Sequence, residues 1–125
     1  MANVSINIDG GTVTALLSED IAAEANDDVR LFAEMCLDAI VLYTKKNHDY
    51  GNSFNKGMDA IGNAYGVGRI FDKVNRLVTL CNKEDEAKVD ESYNDTLLDL
   101  ACYSLMTLAY RKKSQVDKIS NIKFD

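Results

Sequence analysis

The sequence contains no proline and a single histidine, and each scarcity narrows what the protein can be. Proline removes a backbone donor and clashes with the preceding helical turn, so a 125-residue chain without it is suited to long helices. That length allows one domain with a core and is too short for two. The one histidine, His48, has no second histidine and no serine or cysteine pattern beside it, so we assign it no catalytic role.

Cysteine is also scarce, and its spacing excludes two kinds of stabilisation. The three cysteines, Cys36, Cys81 and Cys102, stand far apart, and no Cys-x-x-Cys pair occurs. This pattern argues against a structural zinc site and against a disulfide framework. Each cysteine lies among apolar residues at helical spacing, so we expect three buried structural thiols.

Long apolar runs and a positive charge balance are absent as well. No run approaches the length of a membrane span and no signal peptide opens the chain, so we expect a cytoplasmic protein without a membrane partner. The net charge of -6 argues against strong nonspecific binding to a nucleic-acid backbone.

What is present predicts a mainly α fold. Alternating apolar residues on both sides of Asp9-Gly10-Gly11 predict a β-hairpin over residues 1–17. The remainder predicts a single domain with a bundle of about four helices over about 19–113 and a polar tail over 114–125. The expected helices cover about 19–46, with Asp27 or Asp28 as a cap at a break, then about 55–64, 67–81 and 90–113. Gly51 ends the first helix, the glycines at 62, 66 and 68 lie in a link, and residues 82–88 form a loop.

The last helix begins with a line of carboxylates. Glu91, Asp95 and Asp99 follow one another at four-residue spacing and therefore share one side of it. From Leu100 to Tyr110 the chain has no charged residue, which predicts a central, buried helix whose carboxylates face the protein or a cleft. Two interpretations stay open: pairing with Lys or Arg, or coordination of a divalent cation such as Mg²⁺.

Another acidic pair and a basic group accompany this line. Glu34 and Asp38, also four apart, fit either a second set of metal ligands or a solvated face. Arg69, Lys73 and Arg76 lie opposite the apolar side of their helix and follow the glycine-containing segment AYGVG. They fit phosphate contacts, a solvated face, or partners for the acidic helix.

The stretch KKNHDYGNSF, residues 45–54, places many hydrogen-bonding groups at one helix end. Lys46, Asn47, Asp49 and Tyr50 supply a donor, an amide, an acceptor and an aromatic face, which together suit a nucleobase or ribose. The alternative is a plain loop after a helix, with Gly51 at its C-terminal boundary.

Together, KKNHDYGNSF, RIFDKVNRL and DESYNDTLLDLACYSLM resemble the helical family called nucleotide modification associated domain 1, over about residues 30–110. This family is common in bacteriophages and is associated with nucleotide metabolism and base modification. The resemblance implies a nucleotide site at the matching positions. These are Lys46, Asn47, Asp49, Tyr50, Gly51, Lys73, Arg76, Glu91, Asp95, Asp99 and Tyr103.

The architecture is also distantly similar to the all-α NTP pyrophosphohydrolases of the MazG and dimeric dUTPase type. Those enzymes hold Mg²⁺ with Glu-x-x-Glu and Glu-x-x-Asp pairs, whereas the pairs here, Glu34 with Asp38 and Glu91 with Asp95, are one residue longer. The similarity implies Mg²⁺-dependent hydrolysis with Lys73 and Arg76 neutralising phosphate oxygens, and a homo-oligomer with sites between subunits. The alternatives are a protein that sequesters a nucleotide signal of host defence without turnover, and a helper subunit of a base-modifying complex.

Overall fold

The structure is mainly α, with four helices among the residues described. A computed structural model describes the backbone of residues 2–8, 11–17, 27–83 and 86–120, and the side chains of residues 27–83 and 92–116. The chain divides into two compact units, Met1–Leu42 and Tyr43–Asp125. Its elements are β1 Ala2–Ile8, β2 Gly11–Leu17, α1 Asp27–Tyr50, α2 Ser53–Ile61, α3 Asn63–Cys81 and α4 Glu86–Ser120.

The first unit contains the two strands and the beginning of α1. The strands pair antiparallel, with Ala2 opposite Leu17 and Ile8 opposite Gly11. The predicted turn at residues 9–10 and the helix expected over 19–26 lie outside the described residues, so the complete hairpin and its packing stay predictions. Helix α1 begins at Asp27, so both residues considered as caps, Asp27 and Asp28, lie in its first turn. The Asp27 carboxylate lies 3.5 Å from Arg30 one turn later.

Several helix boundaries in the second unit differ from the prediction. α1 ends at Tyr50, four residues beyond the predicted helix end near residue 46, and the break follows at Gly51, as expected. Helix α3 begins at Asn63, not near residue 67, so Gly66 and Gly68 lie inside a helix and not in a link. The break is at Gly62 alone, whose φ of 85° and ψ of -157° are accessible essentially only to glycine. Helix α4 starts at Glu86 and extends through Ser120, seven residues beyond the predicted end, because local polarity does not by itself stop a helix.

Helices α3 and α4 form an antiparallel pair in register over most of α3. Lys73 meets Asp99, Arg76 meets Thr96, and Cys81 meets Tyr93, so the α4 partner moves toward the N-terminus as the α3 residue moves toward the C-terminus. At the start of this register the two backbones approach closely. A methyl group on Gly66 would collide with the Thr107 side chain, so only glycine permits this spacing.

Helix α2 packs against the same pair and completes the small core of the second unit. Phe54 and Met58 of α2 are buried, and so are Leu80 of α3 and Cys102 of α4. The Phe54 ring lies 5.6 Å from that of Tyr65 on α3 and 6.1 Å from that of Tyr103 on α4, measured between centroids. The Tyr110 hydroxyl donates a hydrogen bond to Asp59 of α2, and this bond raises the pKa of Tyr110.

Two predictions about burial are wrong. Only Cys102 is a buried thiol, whereas Cys36 and Cys81 are exposed. The uncharged part of α4 is not surrounded by protein either, because Leu105 and Leu108 are exposed. Apolar spacing shows which residues share a side of a helix, but burial requires a neighbouring element on that side. Within the described residues, no helix is both long and apolar enough to cross a membrane.

The close approach at Gly66 gives a test of the α3–α4 packing. Replacing Gly66 with Ala should lower the free energy of unfolding by about 1–3 kcal/mol, because the added methyl overpacks the contact with Thr107. Gly68→Ala is the matched control in the same helix, since its added methyl meets open space. It should raise stability by about 0.5–1 kcal/mol through helix propensity. Urea unfolding followed by circular dichroism measures both, and equal or higher stability of Gly66→Ala would contradict the close approach.

Candidate functional site

One carboxylate is shared by two lysines from different helices. Oδ1 of Asp99 on α4 accepts a hydrogen bond from the Lys46 ammonium of α1 at 3.1 Å. Oδ2 lies 3.1 Å from the Lys73 ammonium of α3. The Asp99 and Lys73 side chains are only 19% and 25% exposed, whereas Lys46 is 48% exposed. A partly buried carboxylate is costly without a cation, and here each of its oxygens faces an ammonium.

The surroundings of this ion pair favour protonated lysine. Partial burial alone lowers the pKa of Lys46, but the hydrogen bond and the negative charge of Asp99 outweigh it and raise that pKa overall. Next to Asp99, burial and then the same negative charge raise the pKa of the Cys102 thiol. Lys46 therefore remains a cation at neutral pH, and Cys102 remains a neutral thiol.

Aromatic rings extend the cluster along α3. The Lys73 ammonium lies 5.8 Å from the centroid of the Tyr103 ring, and the Arg69 guanidinium lies 5.1 Å from that of Tyr65. Both rings contact Phe54, so an aromatic layer lies beneath two cations. Cation–π contacts of this kind hold the charged groups in place without neutralising them.

Arg76 lies one turn further along α3 and has a defined partner. Its Nε donates to the Thr96 hydroxyl at 3.1 Å, and this hydroxyl in turn donates to the Ser92 carbonyl at 2.6 Å. Thr96 is buried, so the bond fixes the position of the Arg76 guanidinium. It uses one of the five N–H donors of the guanidinium.

The end of α1 presents the other predicted ligand residues. Tyr50 is exposed and Asn47 is half-buried. The backbone carbonyl of Asn47 accepts a hydrogen bond from the backbone N–H of Asn52. Asp49 is exposed and its carboxylate lies 3.5 Å from the His48 ring nitrogen. Helical spacing places Asp49 and Tyr50 on the same side of α1 as Lys46, three and four residues away. They therefore flank the lysine that reaches Asp99.

The predicted metal ligands are distributed unevenly. Asp95 is exposed, Asp99 is taken up by two lysines, and the Glu91 side chain lies outside the described residues. Glu34 and Asp38 are exposed and belong to the first unit. Among the described residues, no group of three or more His, Cys, Asp or Glu side chains could hold a metal ion. For Asp99 the contacts correspond to the ion-pair interpretation, and Mg²⁺ binding stays a prediction.

Three residues that organise the cluster are not among the predicted site residues. Tyr65 supports Arg69, Phe54 joins the two tyrosine rings, and Thr96 fixes Arg76. The four-residue spacing of Tyr65 and Arg69 is a local signal that could have identified the first pair. Phe54 and Thr96 act across helices, so no local pattern marks their partners.

Comparison with known proteins gives one match. Residues 46–110 match the sequence model of a family described as nucleotide modification associated domain 1. The matched segment begins at Lys46 and ends at Tyr110, so it includes every residue of the ion-pair and aromatic cluster. No curated protein and no solved structure matches the chain.

The shared carboxylate predicts a large difference between two neighbouring aspartates. Asp99→Asn removes the charge between two ammonium groups and should lower the free energy of unfolding by about 1–3 kcal/mol. Asp95→Asn, one turn earlier and exposed, should change it by no more than about 0.5 kcal/mol. Urea unfolding at low and high salt tests both, and salt should reduce the Asp99 effect because it screens the facing lysines. Equal effects of the two substitutions would show that the ion pair is unimportant.

Proposed function

Because the chain belongs to the nucleotide modification associated domain 1 family, we propose that its second unit binds a nucleotide at the cations around Asp99. The observation that supports this most is the convergence of Lys46 and Lys73, from two helices, on one carboxylate of a third. Two positive charges held against one negative charge leave a local attraction for a phosphate.

The cations retain the donors that a phosphate needs. An ammonium has three N–H donors, and the contact with Asp99 uses one on each lysine. Arg69 and Arg76 lie on the same helix as Lys73 and add two further charges. Asp72, close to Arg69, and exposed Asp95 offset part of this charge, and with Asp99 and Asp49 they balance the four cations. The attraction for a phosphate is therefore local to the N–H donors on α3 and does not come from a net charge of the site. Arginine forks suit bidentate phosphate contact, so the phosphates of the nucleotide belong along α3.

The base or ribose belongs at the end of α1. Tyr50 is 67% exposed and can stack on a ring, and Asp49 accepts from hydroxyl or amino donors. Asn47 offers both a donor and an acceptor. The C-terminal end of a helix disfavours phosphate, which supports placing the phosphates at α3 and the base here. Lys46 lies between the two parts of the site.

We favour capture of the nucleotide without turnover. Both carboxylate oxygens of Asp99 contact lysine, and the described residues offer no preformed set of metal ligands. A protein of this kind, encoded by a bacteriophage, would sequester a nucleotide signal used by host defence.

The second candidate is Mg²⁺-dependent hydrolysis of a phosphoanhydride. The four-residue spacing of Asp95 and Asp99 along one side of α4 favours it, because helix-spaced carboxylates suit a hard cation. The described geometry does not fit a bound ion as it stands, since Lys46 and Lys73 occupy both oxygens of Asp99.

A panel of mono-, di-, tri- and cyclic nucleotides, with and without Mg²⁺, tests the proposal. Calorimetry and mass spectrometry of bound and released species should show an unchanged nucleotide bound in the absence of metal. Release of phosphate or pyrophosphate only with Mg²⁺ would favour the second candidate. No binding of any nucleotide at millimolar concentration would contradict both.

Lys73→Met tests the phosphate assignment. It should weaken binding of the best nucleotide by about 1–3 kcal/mol, the usual effect of losing a charge-assisted contact, and leave binding of the nucleoside nearly unchanged. Lys112→Met is the matched control, because this exposed lysine lies 13 residues, roughly 20 Å, from Asp99 along α4. Equal weakening by the two substitutions would assign the effect to overall charge.

Two substitutions test the base assignment at the end of α1. Tyr50→Ala should weaken binding of every nucleotide by roughly 1–3 kcal/mol if the ring stacks on the base. Asn47→Ala should change the preference among bases more than the mean affinity. Calorimetry with the four common nucleoside monophosphates measures both effects. Unchanged affinity in Tyr50→Ala would place the base elsewhere.

A further inference from the structure

The second unit exposes an uncharged apolar surface that the nucleotide site does not use. On α3 it consists of Val67, Phe71, Val74 and Val78, and on α4 of Leu97, Leu105 and Leu108. We call these seven residues the apolar face. Each side chain is between 41% and 62% exposed.

The apolar face lies on the side of the α3–α4 pair that is turned away from α2. Tyr65 of α3 and Tyr103 and Tyr110 of α4 contact α2. At 100° per residue, the exposed residues of each helix point about 150° away from these tyrosines on average. The same rotation places Arg69 and Arg76 nearly opposite the face on α3. The cations and the apolar face therefore occupy opposite sides of the helix pair.

The spacing on α3 indicates what kind of surface would cover the face. Val67, Phe71, Val74 and Val78 follow one another at intervals of four, three and four residues. This is the repeat that packs side chains of one helix between those of another. The partner surface should therefore also be helical.

The amount of exposed apolar surface is large for a chain of this size. Seven side chains that are each about half exposed leave on the order of 600 Å² of apolar surface, the upper end of what monomers show. A specific interface buries roughly 800 Å² on each partner, so the face with its immediate surroundings is sufficient for one.

We propose that the apolar face binds the same face of a second copy of this chain. The segment of α4 between Leu100 and Tyr110 contains no charge, so a partner must be apolar and uncharged as well. A second copy supplies such a surface with the same helical spacing, and a twofold arrangement of two helix pairs gives a four-helix interface. The cations around Asp99 stay accessible in this dimer, which differs from the expected site between subunits. The proposal does not depend on nucleotide binding.

Hydroxyl-radical footprinting of the unmodified protein, together with its mass by light scattering, tests this proposal. Phe71 and Leu105 are 62% and 54% exposed in one chain, and Ile61 at the end of α2 is 64% exposed. We expect twice the chain mass of 13.9 kDa, and several-fold slower oxidation of Phe71 and Leu105 than exposure predicts, with Ile61 unprotected. A monomer at micromolar concentrations contradicts the proposal, whether or not the face is protected. So does a dimer in which Phe71 and Leu105 react freely.

Charged substitutions provide a second measurement. Phe71→Glu and Leu105→Glu should each weaken dimerisation at least tenfold, because each would bury an unpaired carboxylate in the interface. Ile61→Glu, equally exposed but outside the apolar face, should leave dimerisation unchanged. Circular dichroism shows whether each variant keeps its helices. If a variant unfolds, the footprinting and mass of the unmodified chain alone decide whether the apolar face forms the interface. A folded Phe71→Glu protein that dimerises like the unmodified chain would overturn the proposal.

Discussion

The ion pair at Asp99 is the interaction on which the rest of the second unit depends. A carboxylate that is 19% exposed would be strongly destabilising if it were unpaired, and two ammonium groups from two other helices remove that cost. The same contact fixes the end of α1 and the middle of α3 against α4. It therefore links three helices and positions two of the positive charges, so stability and the candidate site share one interaction.

This ion pair requires α3 and α4 to be close and correctly aligned. Gly66 permits the approach by having no side chain at the point where Thr107 contacts the helix. The bond between Arg76 and buried Thr96 fixes the alignment at the other end. Lys73 lies between these two contacts on α3, and its ammonium is 3.1 Å from Asp99. Gly66, which lies outside the candidate site, is thus a condition for the position of a lysine within it.

The two sides of the α3–α4 pair have opposite character, and this has a functional consequence. One side presents cations over an aromatic layer, which suits a phosphorylated ligand. The other side presents uncharged aliphatic and aromatic groups, which suits a helical protein surface. Because the two surfaces do not overlap, the proposed binding of a nucleotide and the proposed association of two copies are compatible.

The sequence by itself determined the helical class, the end of α1 before Gly51 and the shared side of Arg69, Lys73 and Arg76, because these follow from backbone preferences and helical periodicity. Family resemblance also identified Lys46, Lys73 and Asp99, and the family match includes all three. Only the tertiary structure decided that Asp99 pairs with Lys46, 53 positions away, while Asp95 on the same line remains exposed. It also decided that Cys81 is exposed and that Gly66 lies inside a helix. Periodicity shows which residues share a side of a helix, but the choice of neighbour on that side is made by contacts between residues distant in sequence.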